Sequence, residues 1–254
     1  MLRVRDVRSE NRWRIMNKKF ENIFDISKSM TYINLGFKDY IATRVLINNG
    51  LLIQGATLAS TSIEKYFKAI LTLNKITSKK HLNNELCNKL KQIDSDLYNT
   101  FNESFLNFLI KCYKLRYIDD APNEFSLVIN QYPLLAELDF TISKIEKKLN
   151  IFQDGKKLEL GYRQMWNEKT PEFTKDNYIF LGISKGNFIE THESKVHCLR
   201  LDPNFGIQRA VIETSYTAAK QPHDGDFSRE FVITDYPTID NPNTGFELPF
   251  QPKT

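Results

Sequence analysis

Arg44 and Arg116 fall on apolar helical stripes, where a hydrophobe is expected. A guanidinium cannot shed its charge, so one that faces inward needs an anion or a dense set of acceptors. If both point into one cleft they form a phosphate-binding site, because the planar fork grips phosphate in bidentate fashion. The alternative is a local carboxylate, for example Asp119 or Asp120 for Arg116 near a helix C-terminus. Lys65 and Lys68 share one face of a helix, roughly opposite its apolar seam, which by itself reads as a solvated face beside Glu64. His81, after Lys79 and Lys80, suits proton transfer or anion binding, or a plain helix-cap position.

Other chemistries find little footing. His192, Glu193, His197 and Cys198 lie close in sequence but form no standard zinc spacing. There is no P-loop, no glycine-rich dinucleotide fingerprint and no nucleophile elbow. The expectation is no metal and no cofactor, and no residue is assigned a catalytic role, which leaves enzymatic activity open.

The elements that must carry these residues are mostly helices. Ile33, Phe37, Tyr40, Arg44 and Ile47 step by four and three, and Asn48-Asn49-Gly50 breaks the pattern. The second helix has the cleanest stripe: Leu52, Ala56, Ala59, Ile63, Tyr66, Ile70 and Leu73. Ile53 and Phe67 widen its apolar surface, which predicts a central position. A third helix carries Leu82, Leu86, Leu90 and Ile93. A fourth aligns Phe105, Leu109, Cys112 and Arg116, and Asp119-Asp120-Ala121-Pro122 stops it. The last runs from near Pro133 through Leu138, Ile142, Ile145 and Leu149. Short connections between such helices predict an antiparallel bundle.

After Asn150 the pattern changes to short runs rich in β-branched and aromatic residues. Examples are Tyr178-Ile179-Phe180-Leu181, Val196-His197-Cys198-Leu199, Arg209-Ala210-Val211-Ile212 and Phe231-Val232-Ile233. The fold class read from this is α+β: an N-terminal antiparallel bundle of four to five helices, then a small β-rich domain. The divisions are a basic leader over 1–28, a bundle over 29–152, a β-rich domain over 153–236 and a proline-rich irregular tail over 237–254.

With 254 residues, 41% hydrophobic and 26% charged, the chain has the composition of a globular protein. A net charge of +4 permits a basic patch without requiring nucleic acid. Three widely spaced cysteines argue for a reducing compartment, and no apolar run reaches membrane-spanning length. The expectation is a cytoplasmic protein with no membrane partner. Arg3, Arg5, Arg8, Arg12 and Arg14 make the start basic, either as a phosphate-touching arm or as a flexible leader before Met16.

Four pieces, in order, resemble the HEPN domain family over about residues 30–150. Ser62-Ile63-Glu64-Lys65-Tyr66-Phe67-Lys68-Ala69-Ile70-Leu71 is similar to the family's "A-I-E-K-x-x-K-A-x-L" helix. Ala42-Thr43-Arg44-Val45-Leu46 is similar to its "A-R-x-L" helix, and His81-Leu82 with Leu86 to the opening of its third. Tyr113-Lys114-Leu115-Arg116-Tyr117-Ile118-Asp119 resembles "Y-x-x-R-Y-P-D", with Ile118 in place of proline.

The resemblance implies a four- or five-helix bundle that dimerises and either cleaves RNA or binds nucleotide or RNA without cleaving it. The ribonuclease members carry a histidine four to six residues after an arginine; no arginine here does, so the acid–base imidazole is missing. The "R-Y-x-D" form points to the binding group. The ligand contacts so implied are Arg44, Lys65, Lys68, His81, Tyr113, Arg116 and Asp119. The partners implied are a nucleotide or RNA and a second copy of the chain, with a protein partner for the β-rich part. Two rivals remain: a ribonuclease with a displaced site at Arg116 and His81, and a dimeric adaptor that captures a protein.

Overall fold

A computed structural model of the chain describes residues 23–116, 125–153, 155–192, 194–202, 210–218 and 231–235. Residues 1–22 of the expected leader lie outside that set, as do Asp119, Asp120 and the tail over 237–254.

Helix α1 (Ile23–Asn48) begins inside the stretch read as leader and buries Ile26, Ile33, Phe37, Tyr40 and Ile47. Gly50, at φ 77°, takes the left-handed backbone that turns the chain into α2 (Leu52–Leu73). All seven stripe residues of α2 are buried, as are 16 of its 22 residues, so it is enclosed by its own chain. The two helices approach closely at Gly36. There Ser62 Oγ donates to the Gly36 carbonyl at 2.8 Å, and a Cβ would lie 3.1 Å from the Tyr66 ring.

Three short helices follow, each started by a side chain that accepts from a backbone N–H three residues on. Asn83 caps α3 (Asn84–Ile93), Asp94 caps α4 (Ser95–Tyr98) and Asn102 caps α5 (Glu103–Cys112). Beyond Cys112 the coil tightens into a 3-10 turn, Tyr113–Arg116. Tightening from 3.6 to 3.0 residues per turn rotates the final residues off the α5 stripe. Leu115 is buried there, and Arg116, expected on the core line, is exposed. Strand β1 (Phe125–Asn130) then leads directly into α6 (Gln131–Lys148).

The segment after residue 150 departs from the expected β-rich domain in two ways. Apart from the two-residue strands β2 (Phe152–Gln153) and β3 (Lys156–Lys157), residues 153–192 are largely helical. They form α7 (Gly161–Glu168), α8 (Pro171–Thr174), α9 (Tyr178–Leu181) and α10 (Lys185–Thr191). Helix α9 is the run read as a strand. A short apolar run has no periodicity to decide between the two, and local capping decides it. The Asn177 side chain accepts from Ile179 and Phe180 N–H, and Gly182 ends the turn in the left-handed region. Second, β4 (Ser194–Asp202), β5 (Ala210–Ala218) and β6 (Phe231–Asp235) share one antiparallel sheet with β1, in the order β5-β4-β1-β6. A strand from the bundle stretch therefore lies inside the sheet, between β4 and β6.

One core runs through these divisions. Leu160, Tyr162 and Phe173 belong to the same buried apolar cluster as the stripes of α1, α2, α5 and α6. No described helix is long and apolar enough to cross a membrane.

Candidate functional site

The seven candidate contacts separate into different places. Arg44 is fully buried on α1. Its Nη1 donates to both Asp139 carboxylate oxygens, at 2.5 and 2.6 Å, its Nε to the Glu172 carbonyl at 3.3 Å, and its Nη2 to the Lys175 carbonyl. Tyr40 Oη donates to Asp139 at 2.7 Å, and Asn177 Nδ2 reaches Tyr40 Oη at 3.3 Å. Burial leaves Asp139 above its ordinary value, although the Arg44 guanidinium and the Tyr40 hydroxyl both act to lower it. Burial likewise pulls Arg44 down, but Asp139 beside it holds the guanidinium above its ordinary range. This clasp joins α1, α6 and the α8 end and presents no exposed donor to a ligand.

Lys65 and Lys68 diverge as well. Lys65 Nζ meets Asp39 of α1 at 2.5 Å, on a carboxylate oxygen that also accepts from Thr61 at 2.8 Å. Lys68 Nζ instead donates to Glu64 Oε1 at 2.7 Å.

Glu64 is the hub of a second constellation. It is only 7% exposed, yet both its oxygens are engaged. Its Oε2 accepts from the Leu82 backbone N–H at 3.1 Å and lies 3.3 Å from His81 Nδ1. The His81 ring stacks on Tyr113, centroids 4.3 Å apart and planes 24° from parallel. The Arg116 guanidinium carbon lies 4.3 Å from the Tyr113 ring centroid, and its Nη2 donates to the Tyr113 hydroxyl.

Four of the seven candidates, Lys68, His81, Tyr113 and Arg116, thus converge from α2, the segment before α3 and the 3-10 turn. Lys65 and Arg44 are not part of this cluster, and Asp119 lies outside the described residues. When His81 is neutral, Lys68, Arg116 and Glu64 leave one net positive charge here. The cluster can offer charge-assisted donors to an anion, while His81 and Arg116 already lie against the Tyr113 ring. The signal for Glu64 in the sequence is its spacing of four from Lys68, which reads as a surface pair. Its deeper partners, His81 and the Leu82 N–H, are not legible there.

Another buried carboxylate escaped the sequence reading. Glu146 of α6 accepts from Tyr66 Oη at 2.5 Å, and burial pushes it up to about 7 against that donor and the charge of Arg163. Among the described residues no group of three His, Cys, Asp or Glu could hold a metal. His192 sits at the end of α10, its Nδ1 2.7 Å from the Phe188 carbonyl, while His197 and Cys198 are consecutive residues of β4. No protein-family model, curated protein or solved structure matches this chain.

Proposed function

We propose that the chain is a HEPN-like binder of nucleotide or RNA phosphate that does not cleave its ligand. The observation that carries the reading is the convergence of Lys68, His81, Tyr113 and Arg116 around Glu64. Arg116 is exposed and holds its planar fork beside Tyr113, an arrangement that suits a phosphate. A homodimer, which the resemblance implies, belongs to the same reading. Because α2 is enclosed, the apolar surface for it would come from exposed Leu35 and Val45 on α1 and from Leu51.

A ribonuclease reading is kept for one reason: His81 and Arg116 lie against the same tyrosine, so an imidazole and a guanidinium share one neighbourhood. One preparation tests both. Purified, metal-free chain is titrated with nucleoside monophosphates and a short single-stranded RNA, and the RNA is then run on a denaturing gel. Saturable binding that Arg116→Lys weakens, with the RNA intact, supports the binder. Cleavage that His81→Ala abolishes would replace it with the enzyme. Absence of any binding sinks both.

A further inference from the structure

We propose that the groove between α3 and α5 holds the nucleoside portion of a ligand whose phosphate meets the Arg116–Tyr113–His81 cluster; this rests on the phosphate-binding reading above. The groove has a volume of about 360 Å³. Its polar walls are Asn84 and Asn88 from α3, Asn107 and Glu103 from α5, and Tyr98 from α4. Cys87 and Leu106, both buried, contribute beneath them.

Position links the groove to the cluster. His81 stacks on Tyr113, so the start of α3 lies beside the end of α5. The connection from α3 through α4 to α5 is short, and Tyr98 of α4, also on the groove wall, packs on Phe101 just before α5, with ring centroids 6.2 Å apart. The two helices therefore run antiparallel along the groove. Asn84 follows His81 by three residues, and Ile110, also on the groove wall, precedes Tyr113 by three. Three residues span at most about 10 Å of extended chain, and about 5 Å of helix. The near end of the groove thus falls within a nucleoside's length of the cluster.

Chemistry points the same way. Each asparagine amide offers donors and an acceptor together, which match the edge of a base or the hydroxyls of a sugar. Asparagine is also a weak helix former, so Asn88 and Asn107 in helix interiors are not there for local stability. The groove's volume lies at the small end of the range of about 300–1,000 Å³ for small-molecule sites, enough for one nucleoside unit and not a stack of bases.

The test titrates full-length chain with inorganic phosphate, the four nucleoside monophosphates, the unphosphorylated nucleosides and a short single-stranded RNA. The variants are Arg116→Lys and the double change Asn88→Ala with Asn107→Ala. Both asparagines are exposed and alanine favours helix, so the double variant keeps its fold. The expected result is a monophosphate bound at least about tenfold tighter than phosphate, the advantage of one good amide pair. The double variant should remove that advantage and leave phosphate affinity unchanged, while Arg116→Lys weakens both ligands. If a monophosphate binds no tighter than phosphate, or its advantage survives the double change, the groove assignment is overturned. Nucleoside binding that needs the asparagines but ignores Arg116 upholds the groove and overturns the phosphate site alone. RNA affinity well above that of any monophosphate identifies the nucleoside as a unit of a strand; equal affinity identifies it as free nucleotide.

Discussion

At Arg44 the guanidinium is sealed from water and satisfied by one carboxylate and two backbone carbonyls. Arg44→Ala leaves Asp139 buried without its counter-charge, and breaking such a pair costs about 3–5 kcal/mol. Denaturant titration of that variant should show a loss of this size, while phosphate affinity per folded molecule stays unchanged. Arg116→Lys should do the reverse. Its side chain is exposed, so the melting midpoint should hold while phosphate or nucleotide affinity falls. A stability loss at Arg116 with unchanged affinity would refute the site. Both arginines stand out in the sequence as charges on apolar stripes, and that pattern cannot separate them. What separates them is tertiary: α6 delivers Asp139 to Arg44, whereas the 3-10 turn carries Arg116 out of the core.

Helix α6 fastens its neighbours through carboxylates. Glu137 meets Lys185 of α10, Asp139 meets Arg44 of α1, and Glu146 meets Tyr66 of α2. Glu146 gives this helix a pH signature. Burial raises it from 4.5 to about 7, so between those values the folded chain holds a proton that the unfolded chain releases. Stability contributed this way is complete below about 4.5 and is lost as pH rises through about 7, by ~3 kcal/mol in all. Glu146→Gln keeps an acceptor for Tyr66 and cannot ionise. The variant should therefore gain stability over the parent chain as pH rises from 5 to 8, read by denaturant titrations at each pH; parallel profiles would sink the assignment.

The long elements were legible because their stripes repeat over many turns; α2 spans the very residues its pattern delimits. The short ones were not. Helix α9 depends on the Asn177 cap, which is invisible until the side chain's orientation is known. Asn177→Ala should cost about 0.5–2 kcal/mol, the range for a lost cap, and loosen Tyr40 besides. Glu64 and the groove asparagines look like ordinary polar surface until the fold brings their partners to them.

For the whole molecule, the change of pattern near Asn150 suggests a boundary, but the packing does not divide there. Phe173 is fully buried against Phe37, Tyr40 and Tyr162, and the carbonyls of residues 172 and 175 complete the Arg44 clasp. A chain cut after residue 152 should therefore be markedly less stable than one cut after residue 192, although helical by circular dichroism. Equal melting midpoints for the two would mean that residues 161–191 only decorate the bundle. Sedimentation of the full chain at micromolar concentration should give twice the chain mass, and a monomer across that range would refute the dimer.

The Arg44 clasp also constrains when the chain can finish folding. Its carboxylate partner lies 95 residues downstream and its last carbonyl partner 131 residues downstream. At synthesis rates of about 5–20 residues per second, that last partner emerges on the order of 10 s after Arg44 itself. During this interval α1 and α2 can pair, but the guanidinium must stay hydrated and the aromatic face around Tyr40 stays open. The buried surface around Arg44 is therefore completed late, and the final lock waits for residue 175 to leave the ribosome.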